Sequence, residues 1–202
     1  MKIIKENDSN SVDLAIEFLL AGKVICFATD TVYGLAVDAT NAKAVDRLYQ
    51  LKNREKNKPI AIFLKDINSA MQLFVINDKS KFMINKYMPG AITIILPTND
   101  FAKKHLAKNL NNQHNDFIGF RIVDTYFVRN LFKKFNGILA VSSANKASEE
   151  ACYSSSMVKN NLSNLDLLIS GKKTNKISST IIKIVDDEIS IVRQGKLIIN
   201  EI

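Results

Sequence analysis

Short apolar runs recur along this chain, and each empties into hydroxyls, amides or cations. The clearest is VICFA at 24–28, followed at once by Thr29, Asp30, Thr31, Tyr33 and Gly34. So short and apolar a run, next to turn-forming residues, reads as a buried strand. Strands of this kind, alternating with stretches of helical spacing, commit the chain to helices packed over a sheet. Further on, KNREKNKP at 52–59 places Lys52 and Arg54 two residues apart, with Lys58 next to Pro59. A strand that ends in hydroxyls beside a cationic loop is how an α/β protein builds a site for a phosphate-bearing ligand.

The same pattern organises the rest. Residues 11–21 carry apolar side chains at helical spacing and stop at Gly22. Strands are expected at 24–28, 35–37, 60–64, 91–96, 117–122 and 138–141, and 165–169 is apolar. Helices are expected from an Asn41 cap to about Leu51, at 66–74, at 79–87 and at 126–135, the last ended by Asn136-Gly137. Residues 99–116 read as a helix and an exposed loop, and 146–164 as polar with one helical piece. Residues 179–185 and 188–193 form a closing strand pair across Asp186-Asp187. The expected fold is α+β (mixed α/β): a three-layer helix/sheet/helix domain around a twisted mixed sheet. With 202 residues, 47% of them hydrophobic, and no repeat or linker, residues 1–202 are expected to form one domain.

Composition narrows the function classes. No apolar run is long enough to span a membrane, and MKIIKENDSN has no signal region, so a cytoplasmic protein without a membrane partner is expected. Cys26 and Cys152 are too few for a disulfide framework. His105 and His114 have no Cys or acid at ligand spacing, so no metal site is expected. The formal net charge of +8 favours nucleotides or nucleic acids, although much of it is Lys that a solvated surface would carry anyway. Arginine is scarcer and more telling: it occurs only at Arg47, Arg54, Arg121, Arg129 and Arg193. Against a background of Lys, a retained Arg points to a planar fork for phosphate or carboxylate.

If the strand ends converge, Thr29, Asp30, Thr31, Tyr33, Arg121, Asp124, Ser142, Ser143, Asn145, Ser179, Thr180 and Arg193 meet at one cleft beside Lys52 and Arg54. Such a cleft has donors for a triphosphate, and Arg121 suits a small carboxylate. It has no evident nucleophile–base pair, no GxxxxGK[ST] loop and no GxGxxG after the first strand. Chemistry here would rest on positioning and on stabilising phosphate charge, as in nucleotidyl transfer. Taken singly, each piece has an ordinary explanation: Thr29-Asp30-Thr31 as a capped turn, Lys52-Asn53-Arg54 as a solvated helix end, Ser143-Ala144-Asn145 as a loop or helix cap, Tyr33 as core.

In this order, ATDTVYGLAVDA at 28–39, LKNREKNKPIAI at 51–62, MPGAITIILP at 88–97, IGFRIVD at 118–124, VSSAN at 141–145, SSTIIKI at 178–184 and VRQG at 192–195 resemble the YrdC family of threonylcarbamoyl-AMP synthases. The resemblance runs from about residue 12 to residue 195. It implies an open, concave, basic cleft on a twisted mixed sheet. It also implies condensation of L-threonine, bicarbonate and ATP into threonylcarbamoyl-adenylate with release of pyrophosphate. ATP would bring Mg2+ with it. Transferase partner proteins would pass the threonylcarbamoyl group to an adenosine beside the anticodon of tRNA, and tRNA or double-stranded RNA would be a further partner.

Carried over by motif, Lys52 and Arg54 would face the phosphates, with Ser143 and Asn145 completing the nucleotide site and Arg193 on the ligand. These first four would be the catalytic set. Thr31, Arg121 and Thr180 would hold threonine, Arg121 through its carboxylate, and Tyr33 would line the amino-acid pocket. The chain departs from the family pattern at Ala28, usually Pro; Asn53, commonly Gly; Phe63, His in some members; Lys146-Ala147-Ser148, often Leu-Ser-Gly; and Gln194, frequently Pro. It stops soon after Arg193, as a short form without the extra C-terminal domain of longer relatives would. Two other readings remain open: an RNA-binding accessory protein of the same fold with little catalysis, and a carbamoyl-transfer enzyme with a different amine acceptor.

Overall fold

In the computed structural model, which describes residues 1–111 and 115–199, the elements follow in the order β1 (Lys2–Lys5), α1 (Ser11–Leu20), β2 (Ile25–Ala28), β3 (Tyr33–Asp38), α2 (Ala42–Leu51), β4 (Ala61–Leu64), α3 (Ile67–Leu73), α4 (Asp78–Tyr87), β5 (Ile92–Pro97), α5 (Asp100–His105), β6 (Phe117–Ile122), α6 (Tyr126–Lys134), β7 (Leu139–Ser143), α7 (Ser155–Asn161), β8 (Leu167–Ser170), β9 (Thr180–Val185) and β10 (Glu188–Arg193). His114 lies outside the described residues. After α1, the helices start where the sequence supplies caps. Asn41 accepts from the amides of Lys43 and Ala44, and Asn77 and Ser80 form a reciprocal capping box. Asp186 and Asp187 both take positive φ, which a two-residue hairpin turn requires, and so close β9 onto β10.

The ten strands form one sheet in the order β1-β8-β2-β3-β7-β4-β6-β5-β9-β10. It is mixed, as expected: β4 runs parallel to β6 and antiparallel to β7, and β5 runs parallel to β9 and antiparallel to β6. Alternate residues on each strand feed opposite faces. Cys26, Leu35, Ile62, Ile94 and Phe120 join the larger core under α2, α3, α4, α5 and α7. Ile25, Phe27, Ala36, Phe63, Leu139 and Val141 join a second core under α1 and α6. That second layer, among the described residues, draws strand residues from β1, β2, β3, β4, β7 and β8. Over β6, β5 and β9 the same face is left without helices, so the three-layer sandwich is complete on one side of the sheet only.

Three local expectations change. Lys2–Lys5 is an edge strand, paired parallel to β8. The segment after α5 is polar in sequence but not an exposed loop in its described part. Leu110, Asn111 and Asn115 are buried; Asn111 accepts from the Ile60 amide and donates to the Phe117 carbonyl, so amide side chains supply the missing strand bonds. Cys152, expected in polar surroundings, is fully buried, because its backbone bonds to Ala144 and Tyr33 and draws it under β3.

Candidate functional site

On the bare half of the sheet lies an open cleft of about 170 Å³. The β2–β3 turn forms one wall, the loop after α2 and the end of β7 form another, and β9 with Arg193 forms the third. Gly34 makes room for it: a Cβ there would meet Val141 Cγ1 at 3.1 Å and Thr29 Cγ2 at 3.4 Å. Thr31, Tyr33, Arg54, Arg121, Ser143 and Arg193, all picked from sequence, line this cleft.

Arg121 projects from β6 into the base of the cleft, opposite Phe63 on β4. It is only 5% exposed. Its Nη2 donates to both oxygens of Asp30, at 2.7 and 2.9 Å, and to the Gly90 carbonyl at 2.8 Å. Nη1 donates to Thr31 Oγ1 at 3.1 Å. The Thr29 hydroxyl donates to the Val32 carbonyl at 2.6 Å, which leaves the Thr31 hydroxyl to donate to Thr29 at 3.0 Å. The Val32 carbonyl thus fixes the direction of the hydroxyl chain, and Arg121 donates into its far end. Burial pulls the Arg121 pKa down, against the opposing pull of Asp30.

Arg54 follows a residue with left-handed backbone, Asn53 at φ 48. That conformation suits Asn or Gly and few others, which accounts for Asn at a position where the resemblance leads one to expect Gly. Arg54 is held by the carbonyls of Lys58 and Pro59 at 3.1 and 2.9 Å. Arg193 bonds the Ser179 carbonyl through Nε and Nη2, at 3.3 and 2.8 Å. Its pKa is lowered, first by desolvation and then by the like charge of Arg121. Gly195 permits this corner: a Cβ there would lie 2.4 Å from Ser178 and Ser179 backbone atoms.

Lys52, Asn145 and Thr180 are not on the cleft surface. Lys52 is 1% exposed and turns inward, donating to the Ser143 carbonyl, to the Asn145 carbonyl at 2.7 Å and to Asn145 Oδ1 at 3.3 Å. Desolvation, with the like charge of Arg54 second, lowers its pKa to about 7. Asn145 Oδ1 also accepts from Ser143 Oγ at 2.5 Å, while its Nδ2 donates to the Lys146 and Glu149 carbonyls. The two motifs therefore form one unit behind the wall, with Ser143 as its exposed member. Thr180 is fully buried; its hydroxyl donates to the Leu197 carbonyl at 2.5 Å and accepts from the Gly195 amide at 3.0 Å. Ser178, Ser179 and Thr93 line the cleft here, and the Ser179 and Thr93 hydroxyls lie 2.8 Å apart. Tyr33 contributes to the wall, but its ring is buried in the larger core and its hydroxyl donates to the Gly171 carbonyl at 2.9 Å.

Thr93 was not picked from sequence. Its signal was a lone hydroxyl in the strand AITIIL, at the period that faces the cleft. Among the described residues no group of three or more His, Cys, Asp or Glu could hold a metal ion, and no helix is long and apolar enough to cross a membrane.

This chemistry has relatives. The Sua5/YciO/YrdC family model, described as telomere recombination, matches residues 17–195. A Methanocaldococcus jannaschii protein provisionally named threonylcarbamoyl-AMP synthase is 36% identical over 100% of this chain and 96% of its own length. The Bos taurus threonylcarbamoyl-AMP synthase is 27% identical over 90% of this chain and 66% of its own length. The structure of Pyrococcus abyssi Sua5 complexed with L-threonine superposes with a TM-score of 0.86 at 22% identity, over 96% of this chain and 57% of that one.

Proposed function

The chain belongs to the Sua5/YciO/YrdC family, and from that premise we propose that it is a threonylcarbamoyl-AMP synthase: L-threonine, bicarbonate and ATP give threonylcarbamoyl-adenylate, pyrophosphate and water. The observation that carries this reading is the meeting of Arg54, Arg121 and Arg193 with Thr31, Ser143 and Ser179 on one open cleft. Three forks around a hydroxyl-lined space fit a substrate pair with a triphosphate at one end and a carboxylate at the other.

The amino-acid end is the Arg121 side. There the guanidinium takes the α-carboxylate, and Thr31 and Ser179 offer hydroxyls to the rest of the molecule. The nucleotide end is the Arg54 and Ser143 side, with Lys52 and Asn145 holding the shape of the Ser143 turn. The threonine amine attacks bicarbonate carbon, water leaves, and the carbamate oxygen then attacks the α-phosphorus, displacing pyrophosphate. Arg54 and Arg193 neutralise the phosphate charge that develops and align the leaving group. Mg2+ would come with ATP as its counter-ion and offset part of the phosphate charge. The 202 residues act as one domain in the cytoplasm. The product is a reactive mixed anhydride, so a transferase partner carries its acyl group to tRNA.

Pyrophosphate release by the purified protein, with threonine and bicarbonate omitted in turn and the adenylate identified by mass spectrometry, tests this. Release that needs both supports it; release without threonine points to another acceptor. Absence of both release and ATP binding overturns it in favour of an RNA-binding accessory role.

A further inference from the structure

The guanidinium assigned to the substrate carboxylate already holds one. Asp30 is paired with Arg121 Nη2 at 2.7 Å, and the pair is lopsided: the Arg121 side chain is 6% exposed and that of Asp30 24%. The surroundings of the guanidinium are crowded. Gly90 and Thr31 occupy other N–H groups, the Phe63 ring lies 5.4 Å from the guanidinium carbon, and Nε is buried without a partner. A carboxylate entering the cleft therefore meets Arg121 with its Nη2 already taken by Asp30 and Gly90.

Of the groups around it, only Asp30 is free to leave. Phe63 is packed in the second core, the Gly90 amide is bonded to the Ile122 carbonyl, and the Thr31 carbonyl accepts from the Asn175 amide at 3.1 Å. Among the described residues the Asp30 carboxylate bonds to Arg121 alone. Its backbone carbonyl is met by Asn175 Nδ2 at 3.4 Å and Lys196 Nζ at 3.5 Å, so the main chain stays in place and a cation waits on the exposed side.

We propose that Asp30 is a built-in stand-in for the substrate carboxylate: it pairs with Arg121 in the free protein and is displaced toward the cleft mouth, and toward Lys196, when the amino acid binds. The exchange swaps one carboxylate for another, so the buried guanidinium is never left bare, a state that would cost far more than the pair contributes. It also makes Asp30 a specificity-determining residue, since a ligand without a carboxylate cannot supply the replacement charge. This rests on Arg121 being the carboxylate grip.

The test is calorimetric titration of L-threonine, threoninol and ATP into the wild type, Asp30→Asn, Asp30→Ala and Arg121→Met. Removing the competitor should tighten threonine binding roughly fivefold, the scale of an ion pair with one partly exposed member, with threoninol and ATP affinities unchanged. If Asp30→Asn folds poorly, the same comparison is read from the threonine-induced rise in Tm of Asp30→Ala. Weaker or unchanged threonine binding in both Asp30 variants, with ATP binding intact and Arg121→Met unable to bind threonine, overturns the exchange and leaves Arg121 as the grip. Wild-type threonine affinity in Arg121→Met overturns the grip itself, and the exchange with it.

Discussion

Lys52 donates to the main-chain carbonyl of Asn145 at 2.7 Å across 93 positions of sequence, and the lysine is buried while it does so. The resemblance placed Lys52 among the phosphates. The fold instead makes it the post on which the Ser143–Asn145 turn hangs, so one motif holds the other in shape.

Lys52→Ala should therefore lose stability as well as activity. It strands the Asn145 carbonyl in the interior and leaves the Ser143 carbonyl with the Asn145 amide alone, and leaving a buried acceptor unpaired costs about 1–3 kcal/mol. Chemical denaturation gives the loss. Lys52→Arg should not rescue it, because a planar fork does not fit a pocket shaped for a point charge.

The same residue gives a pH signature. Folded Lys52 titrates at about 7 and the unfolded chain at the ordinary 10.5. Between these values the unfolded chain binds the extra proton, so the contribution to stability rises with pH. Stability should increase by about 1 kcal/mol between pH ~7 and ~8. That window lies below the range where the raised Cys26, Cys152 and Tyr33 begin to matter. In Lys52→Met the slope should vanish, as denaturation midpoints at the two pH values would reveal.

Thr180 and Ser179 should separate structure from binding. Thr180→Val cuts the ties to Leu197 and Gly195 and should cost about 1–3 kcal/mol, with faster amide exchange at 195–199. Ser179→Ala should change stability less and threonine KM more, since Ser179 lines the cleft and Thr180 does not.

Arg54→Ala should raise the ATP KM by about ten- to a hundredfold, the loss of one charge-assisted contact. Its protein partners are two loop carbonyls, so the melting temperature should move little. Threonine affinity, measured separately, should stay near the wild-type value.

Much of the architecture was legible because it is written locally. Asn41 before an amphipathic run, and two residues that tolerate positive φ between alternating strands, each name their own structure. The strand at Lys2–Lys5 was not legible, because its partner β8 lies at the far end of the chain and KIIK alone is too short to declare itself. The site shows the same division. Several of the motifs meet at one cleft, but which residues of Ser178-Ser179-Thr180 line it depends on register. β9 pairs with β5 so that Ile92 meets Thr180 and Thr93 meets Ile181. Ser179 shares a face with Ile181, and Thr180 takes the other. Lys52, at the end of a helix, has the sequence context of a solvated cation, and only the packing of β7 across it turns it inward.

The helices stop short over β6, β5 and β9, so a bound substrate would be separated from the oily interior by the thickness of one strand. Phe120 points into the core from between Gly119 and Arg121, which face the cleft. Repacking at Phe120, Ile62 or Ile94 should reach the ligand with nothing in between to absorb it. In return, substrate should slow amide exchange most in the strands that carry those side chains, stiffening from outside a sheet whose other face the core already holds.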